Sequence, residues 1–495
     1  MKPLVFFLGF LLLVPSARSA QLRAGVGKVD ITRETARTGD PSFAKALVLS
    51  DGNTTAVVVG IDAVAIGEIG SIKNDFLPNV RLRVKQELGI EPKNILMNAS
   101  HCHSVVSGNI EDLTFQAIAQ AAKNMVPVKV GVGKGRENRV MENRRIVLKD
   151  GTQLDVRHAY ALPPDEDMAA VGPVDTEIGI LKLDRLDGTP LALLYNFACH
   201  PIQGIPSGGN TADMSGFASQ VIEDNLGHGA IAIFIQGCGG DINPLAYKHV
   251  NVPHDAEPLG NLLGLSTLKA ARVIKTSANA QLNMVNHTIG VPRADHTKRI
   301  AEMDIEKEKL LKSLRGTSLN LRTFLPLYTQ YQITGEFPSE YAYRYLRDEQ
   351  IGRNNLKKLD ERNQADMAKY IKNIHTMESL TRLMINQALL TKHNARNHEA
   401  EMKPLDVEVV GLRVGDFRLV TFPGEVTVPI GLNLKQASPH ENTFVAGYSN
   451  GYIYYCPTAE QLKNVGRAQE DSDCLLAPAW QEIFESKALE ILKGL

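Results

Sequence analysis

The residues of this chain best suited to chemistry are histidines and a glutamate that stand just past the ends of apolar runs. In Asn98-Ala99-Ser100-His101-Cys102-His103-Ser104 the preceding run Asn94-Ile95-Leu96-Met97 reads as a short buried strand that delivers two imidazoles at its end. Residues i and i+2 of an extended strand share a face, so His101 and His103 are expected to point into one pocket. Neutral imidazole nitrogen is a good zinc ligand, although a hydrogen-bonded structural histidine fits His103 equally well when that segment is read alone. The arrangement recurs. Tyr195-Asn196-Phe197-Ala198-Cys199-His200-Pro201 is an apolar strand, a histidine and a strand-ending proline. The run Phe417-Arg418-Leu419-Val420-Thr421 leads to Phe422-Pro423-Gly424-Glu425, and the run from Thr443 to Gly447 leads to phenols at Tyr452, Tyr454 and Tyr455. Two histidines, a glutamate and an open or phenolic fourth position make a catalytic zinc shell.

Further segments join these in a fixed order: Ala24-Gly25-Val26-Gly27-Lys28-Val29-Asp30-Ile31-Thr32, Ala46-Leu47-Val48-Leu49, Asn143-Arg144-Arg145, Ala212-Asp213, Gln236-Gly237-Cys238-Gly239-Gly240-Asp241-Ile242-Asn243-Pro244 and Asn450-Gly451-Tyr452. With them the chain resembles the neutral, non-lysosomal ceramidases and their bacterial relatives over most of its length. The resemblance implies one Zn2+ per chain, held by His101, His200, Glu425 and Tyr455. It places His103 beside the activated water and Arg144 against the polar head of the substrate. Three positions depart from the family pattern. Ser104-Val105-Val106-Ser107-Gly108 replaces a glycine-rich continuation, Asn243 stands where the family has a serine, and no tyrosine comes after Tyr455 to hold the oxyanion. Tyr452 or Tyr454 is left to fill that last role, and His103, Arg144 and Tyr452 are read as the catalytic set.

The implied reaction is hydrolysis of an N-acyl amide, in ceramidases of ceramide to a fatty acid and a sphingoid base, by a zinc-activated water. His103 would move the proton from water to the leaving amine. The always-charged, fork-shaped Arg144 would anchor hydroxyls or an acidic head. Two alternatives stay open: the same metal acting on an ester or another N-acyl bond, and a member that keeps the metal with weakened turnover.

Met1-Lys2-Pro3, the apolar run Leu4 to Val14 and the small residues Ala17, Ser19 and Ala20 read as a secretory signal peptide over 1–19, so the mature protein is expected to be exported. Five cysteines (Cys102, Cys199, Cys238, Cys456, Cys474) are an odd number for an exported chain. They read as small apolar fillers, with a Cys456–Cys474 disulfide or a competing metal thiolate as alternatives. At 495 residues, 43% hydrophobic and net charge −1, the chain can bury a large core. It carries no nucleic-acid footprint and no run that would span a membrane. The expected partner is a lipid-like or N-acylated small molecule, met through at most transient contact with a membrane surface.

Residues 20–290 alternate strand-like runs such as Thr55 to Ile61 and Ala230 to Ile235 with helical stretches at Val80–Leu88 and Leu113–Met125. That alternation predicts an α/β fold of layered mixed β-sheets flanked by helices. Residues 296–400 are charge-rich and helical in pattern, an expected insertion before the last strands. The remainder is read as one catalytic domain over 20–495, without an added immunoglobulin-like domain, closing in a helix from Ala479 to Leu492.

Overall fold

The computed structural model describes residues 21–495 except 36, 39, 157–161, 164, 205–208, 248, 250, 252–253 and 335–342. The leader read over 1–19 therefore lies outside the described residues. Among the described residues the largest sheet has eight strands. From one edge to the other they are Ile231–Gln236, Pro190–Phe197, Glu177–Arg185, Val126–Arg136, Arg23–Asp30, Phe43–Ser50, Thr55–Ile61 and Ile95–Ala99. The long strand Val126–Arg136 joins the two halves: Val126 and Pro127 pair with Arg23–Asp30, and residues 128–136 pair with Glu177–Arg185. Strands such as Thr55-Ala56-Val57-Val58-Val59-Gly60-Ile61 are buried almost throughout, as their unbroken apolar composition requires of strands covered on both faces.

A four-stranded sheet of Leu282–Val291, Leu405–Val414, Phe417–Thr421 and Thr443–Ala446 packs against it. Leu47, Val58, Leu96 and Ile233 of the first sheet share a core with Leu412, Phe417, Leu419 and Phe444 of the second. Helices cover the outer faces. Phe76–Leu88 starts four residues earlier than its apolar pattern suggests, because Pro78 lies in the first turn, where a missing N–H costs nothing. Helix Ile110–Lys123 lies directly on strand Arg23–Asp30: a Cβ at Gly25 or Gly27 would stand 2.0 Å or 2.1 Å from the carbonyl oxygens of Ala121 and Ala117. The paired glycines are what let that helix sit so close.

The layered α/β arrangement with a helical insertion is thus the one the sequence predicts. Strands Leu282–Val291 and Leu405–Val414 are antiparallel neighbours with Val291 opposite Leu405. Between those two residues lie the helices Thr297–Ser313, Leu321–Thr334, Tyr343–Gln350 and Asn355–Glu399. The last has 45 residues, roughly 68 Å of helix. Its C-terminal half docks through ion pairs from Arg382 to Asp155 (2.7 Å) and Arg396 to Glu68 (2.6 Å) and a hydrogen bond between His393 Nε2 and Asp473 Oδ1 (2.5 Å).

His296 enters this insertion buried, its Nε2 without a hydrogen-bond partner among the described residues. Burial, then the neighbouring His393, pushes its pKa down to about 4, so it folds neutral. An unfolded histidine titrates near 6.5. Stability from this group is therefore complete above about pH 6.5 and lost as pH falls toward 4. His296→Gln is expected to remove about 2–3 kcal/mol of that acid loss, read as the variant-minus-native difference in urea midpoint between pH 7 and pH 4.

All five cysteines are buried free thiols, Cys456 and Cys474 included. The expected filler role is what they have, and the alternative disulfide is not formed.

Candidate metal centre

Three parallel strand pairs set up the site: Thr55–Ile61 with Ile95–Ala99, Pro190–Phe197 with Ile231–Gln236, and Phe417–Thr421 with Thr443–Ala446. The loops that leave their C-terminal ends carry His101, His200, Glu425 and Tyr448. The carboxyl ends of parallel strands are where open α/β sheets form binding crevices. Asn98 ties the ends together. Its Oδ1 accepts from the Gln236 N–H (2.8 Å), and its amide donates to Gly447 O (2.8 Å) and Ser449 Oγ (3.0 Å).

His101, His200 and Glu425 converge, all buried, with ligand atoms within 4.8 Å of one another. The Nδ1 of His101 lies 2.6 Å from Val64 O, and that of His200 lies 2.6 Å from Gly239 O. A carbonyl can only accept, so each Nδ1 carries the proton and each Nε2 presents its lone pair. Both lone pairs face one oxygen: His200 Nε2 is 3.0 Å and His101 Nε2 is 3.4 Å from Glu425 Oε2. Two imidazoles locked in this tautomer around a carboxylate fit a divalent zinc-like cation, with the outer hydrogen bonds such ligands require. The close approach of neighbouring backbone matters here too. A Cβ on Gly240 would stand 2.4 Å from the Glu425 carbonyl oxygen.

His101 and His103 do not share a strand face as expected. The strand stops at Ala99 and His101 has φ +69°, a left-handed conformation that turns its ring inward. His103 is half-buried, its ring 5.3 Å from that of His101 at 85°. It lines a cleft of about 760 Å³ with Val64, Ile69, Phe76 and Ile110, so His103 touches both the buried His101 ring and this cleft. Tyr448, Asn450 and Tyr454 are also left-handed, at φ +52°, +55° and +65°. Hydrogen bonds from Tyr448 N–H to Gly424 O and from Asn450 N–H to Met97 O hold two of them. Such conformations cost on the order of 1–3 kcal/mol each and gather where a site demands them.

Tyr452 donates a short hydrogen bond to Glu425 Oε1. Tyr455, buried, pairs with Glu425 across the short parallel strands Glu425–Val426 and Tyr455–Cys456. The guanidinium of Arg144 lies over its ring, 5.5 Å from the centroid. Arg144 is fully buried: Nε donates to Glu470 Oε1 (2.6 Å), Nη1 to Asn243 Oδ1 (3.0 Å) and Nη2 to Gly240 O. Burial by itself would lower its pKa, but Glu470, Tyr455 and Glu425 outweigh that and hold it charged. Tyr454 points elsewhere, onto His393 and Arg396 of the insertion (Arg396 Nη1 2.5 Å from its hydroxyl).

Tyr448 and Glu470 are the residues that the sequence did not single out. Tyr448 donates to Glu425 Oε2 (3.3 Å), and its ring lies 4.5 Å from that of His101. Its signal was present: it stands just past an apolar strand, as His101, His200 and Glu425 do. Burial, then Glu425, holds the Tyr448 and Tyr452 phenols well above their ordinary pKa, so both stay protonated donors. Tyr448→Phe removes one outer hydrogen bond from Glu425 and is expected to weaken metal binding about 10–100-fold, measured by competition with a chromogenic chelator.

No protein-family model matches the sequence. Among solved structures the chain is similar to neutral ceramidase from Pseudomonas aeruginosa, at 16% identity and TM-score 0.60, over 96% of this chain and 75% of that one. A ceramidase complexed with C2 matches at 17% identity and TM-score 0.60 over the same shares. The fold is therefore that of the neutral ceramidases, in agreement with the resemblance read from the sequence motifs.

Proposed function

We propose that this chain, which has the neutral-ceramidase fold, is an exported zinc-dependent amidohydrolase that cleaves an N-acyl amide of the ceramide class. The observation that carries the reading is the buried, tautomer-locked His101–His200–Glu425 group, with His103, a residue of the neighbouring cleft, against His101. His101 Nε2, His200 Nε2 and the Glu425 carboxylate would hold the ion, with Tyr455 as the fourth ligand. Bound zinc supplies Lewis acidity toward the amide carbonyl and toward water. The protein's own groups do the rest. Tyr448 and Tyr452 keep Glu425 in place by donating to its two oxygens. His103, partly accessible at the cleft, takes the proton from the attacking water and returns it to the leaving amine, a role worth roughly 10²–10⁴-fold. Arg144 holds a fixed positive charge beside Tyr455 and favours negative charge developing there. The apolar walls Val64, Ile69, Phe76 and Ile110 suit an acyl chain. Among the described residues no helix is long and apolar enough to cross a membrane.

The test is release of fatty acid and free amine from ceramide and from simpler N-acyl amides, monitored by mass spectrometry with and without a zinc chelator. Chelator-sensitive cleavage of ceramide is the expected result. Cleavage of the simpler amides alone would remove ceramide as substrate, and chelator-insensitive cleavage would overturn the metal reading.

A further inference from the structure

The cleft that His103 lines combines apolar side chains (Val64, Ile69, Phe76, Ile110) with two cations. Arg33 and Lys73, from two separate segments, both line it and both are exposed. Their backbones are fixed: Arg33 O accepts from the Asn210 amide (3.0 Å), and Lys73 O accepts from the Phe76 N–H (3.2 Å). Neither cationic head has a hydrogen bond or ion pair among the described residues. The cations of the helix Phe76–Leu88 are all committed, Arg81 to Glu408, Arg83 to Glu87 and Asp112, and Lys85 to Glu91. The one acid in the cleft lining, Glu111, receives the Asn79 amide at 3.2 Å.

We infer that the preferred substrate is an N-acyl amide bearing an anionic group some distance from the scissile bond, with a kcat/KM above that of neutral ceramide, and that Arg33 and Lys73 receive this group in the cleft. The inference rests on the amidohydrolase reading above and narrows it. A neutral diol head offers both cations only uncharged acceptors. A carboxylate or phosphate forms charge-assisted hydrogen bonds with each, bidentate in the case of arginine. The apolar side chains of the same cleft, Val64, Ile69, Phe76 and Ile110, then take the methylenes that separate amide from anion. The anion can belong to the amine half, as in an N-acyl amino acid, or to the acyl half, as in a dicarboxylic monoamide.

Two matched pairs of probes separate these: N-lauroylglycine against N-lauroylethanolamine, and the N-butyl monoamide of dodecanedioic acid against N-butyl lauramide. With metal-loaded full-length protein, the acidic member of one pair is expected to have a kcat/KM about tenfold or more above its neutral partner, carried mainly by KM. The pair that shows it identifies the half bearing the anion. In the Arg33→Gln/Lys73→Gln double variant the acid-to-neutral ratio is expected to fall to about one. Equal kcat/KM within both pairs, or a preference that survives in the double variant, overturns the inference and leaves the hydrolase reading standing. No turnover of any amide, neutral or acidic, overturns the hydrolase reading and this inference with it.

Discussion

Protein carrying Glu425→Gln is expected to purify folded, to retain zinc more than about 100-fold less tightly than the native chain, and to lose amide hydrolysis. The loss should exceed that of an outer-shell variant such as Tyr448→Phe, for which about 10–100-fold is the ordinary range. The reason is in the local bonding. Glu425 Oε2 faces both imidazoles, and its two oxygens take the Tyr448 and Tyr452 hydroxyls. An amide of the same shape keeps the packing but supplies no negative charge, and its NH2 group confronts a tyrosine hydroxyl donor at either position. Zinc content by elemental analysis, beside a circular-dichroism check of folding, measures this. Full zinc occupancy and turnover in the variant would remove Glu425 from the site.

Arg144→Met is expected to destabilise the protein by about 3–5 kcal/mol, the range for breaking one side of a buried ion pair. Arg144 and Glu470 are both fully buried and 2.6 Å apart. Arg145 pairs with Asp471 at 2.5 Å and reaches Glu470 only at 3.6 Å. Without Arg144, the buried Glu470 carboxylate loses its nearer guanidinium and keeps Arg145 at 3.6 Å. Arg144→Met combined with Glu470→Gln removes the orphaned charge and should recover a large part of the loss. Urea midpoints of the two variants measure the difference. Equal destabilisation in both would assign the cost to packing around Met rather than to charge.

The metal-ligand candidates were legible because each stands within a few residues of an apolar strand's end, and neighbouring strands bring their ends to a common edge. Tyr448 has the same signature but was masked by three later tyrosines in one short segment. The orientation of His101 was not legible. The expectation of a shared face assumed an extended backbone, and the chain leaves that conformation at φ +69°. Nor could the burial of Arg144 be read, since its partner Glu470 lies 326 positions away. The charge-rich block marked the helical insertion, but the pattern could not show that Arg396, near the end of a 45-residue helix, reaches Tyr454 and Glu68 at the rim of the site.

The wide spacing of the ligands has a consequence for assembly. His200 and Glu425 are 225 positions apart, and their meeting requires both the parallel pair at residues 190–236 and the one at residues 417–446 to be closed. Contacts of such long range form late, since chain closure costs entropy before it returns any stabilisation. On the proposed metal reading, an ion cannot nucleate this fold as zinc does a small zinc finger, whose ligands are near neighbours. Folding comes first and metallation second, so the apoprotein is expected to accumulate as a native-like species whose ion is taken up from whichever compartment it folds in.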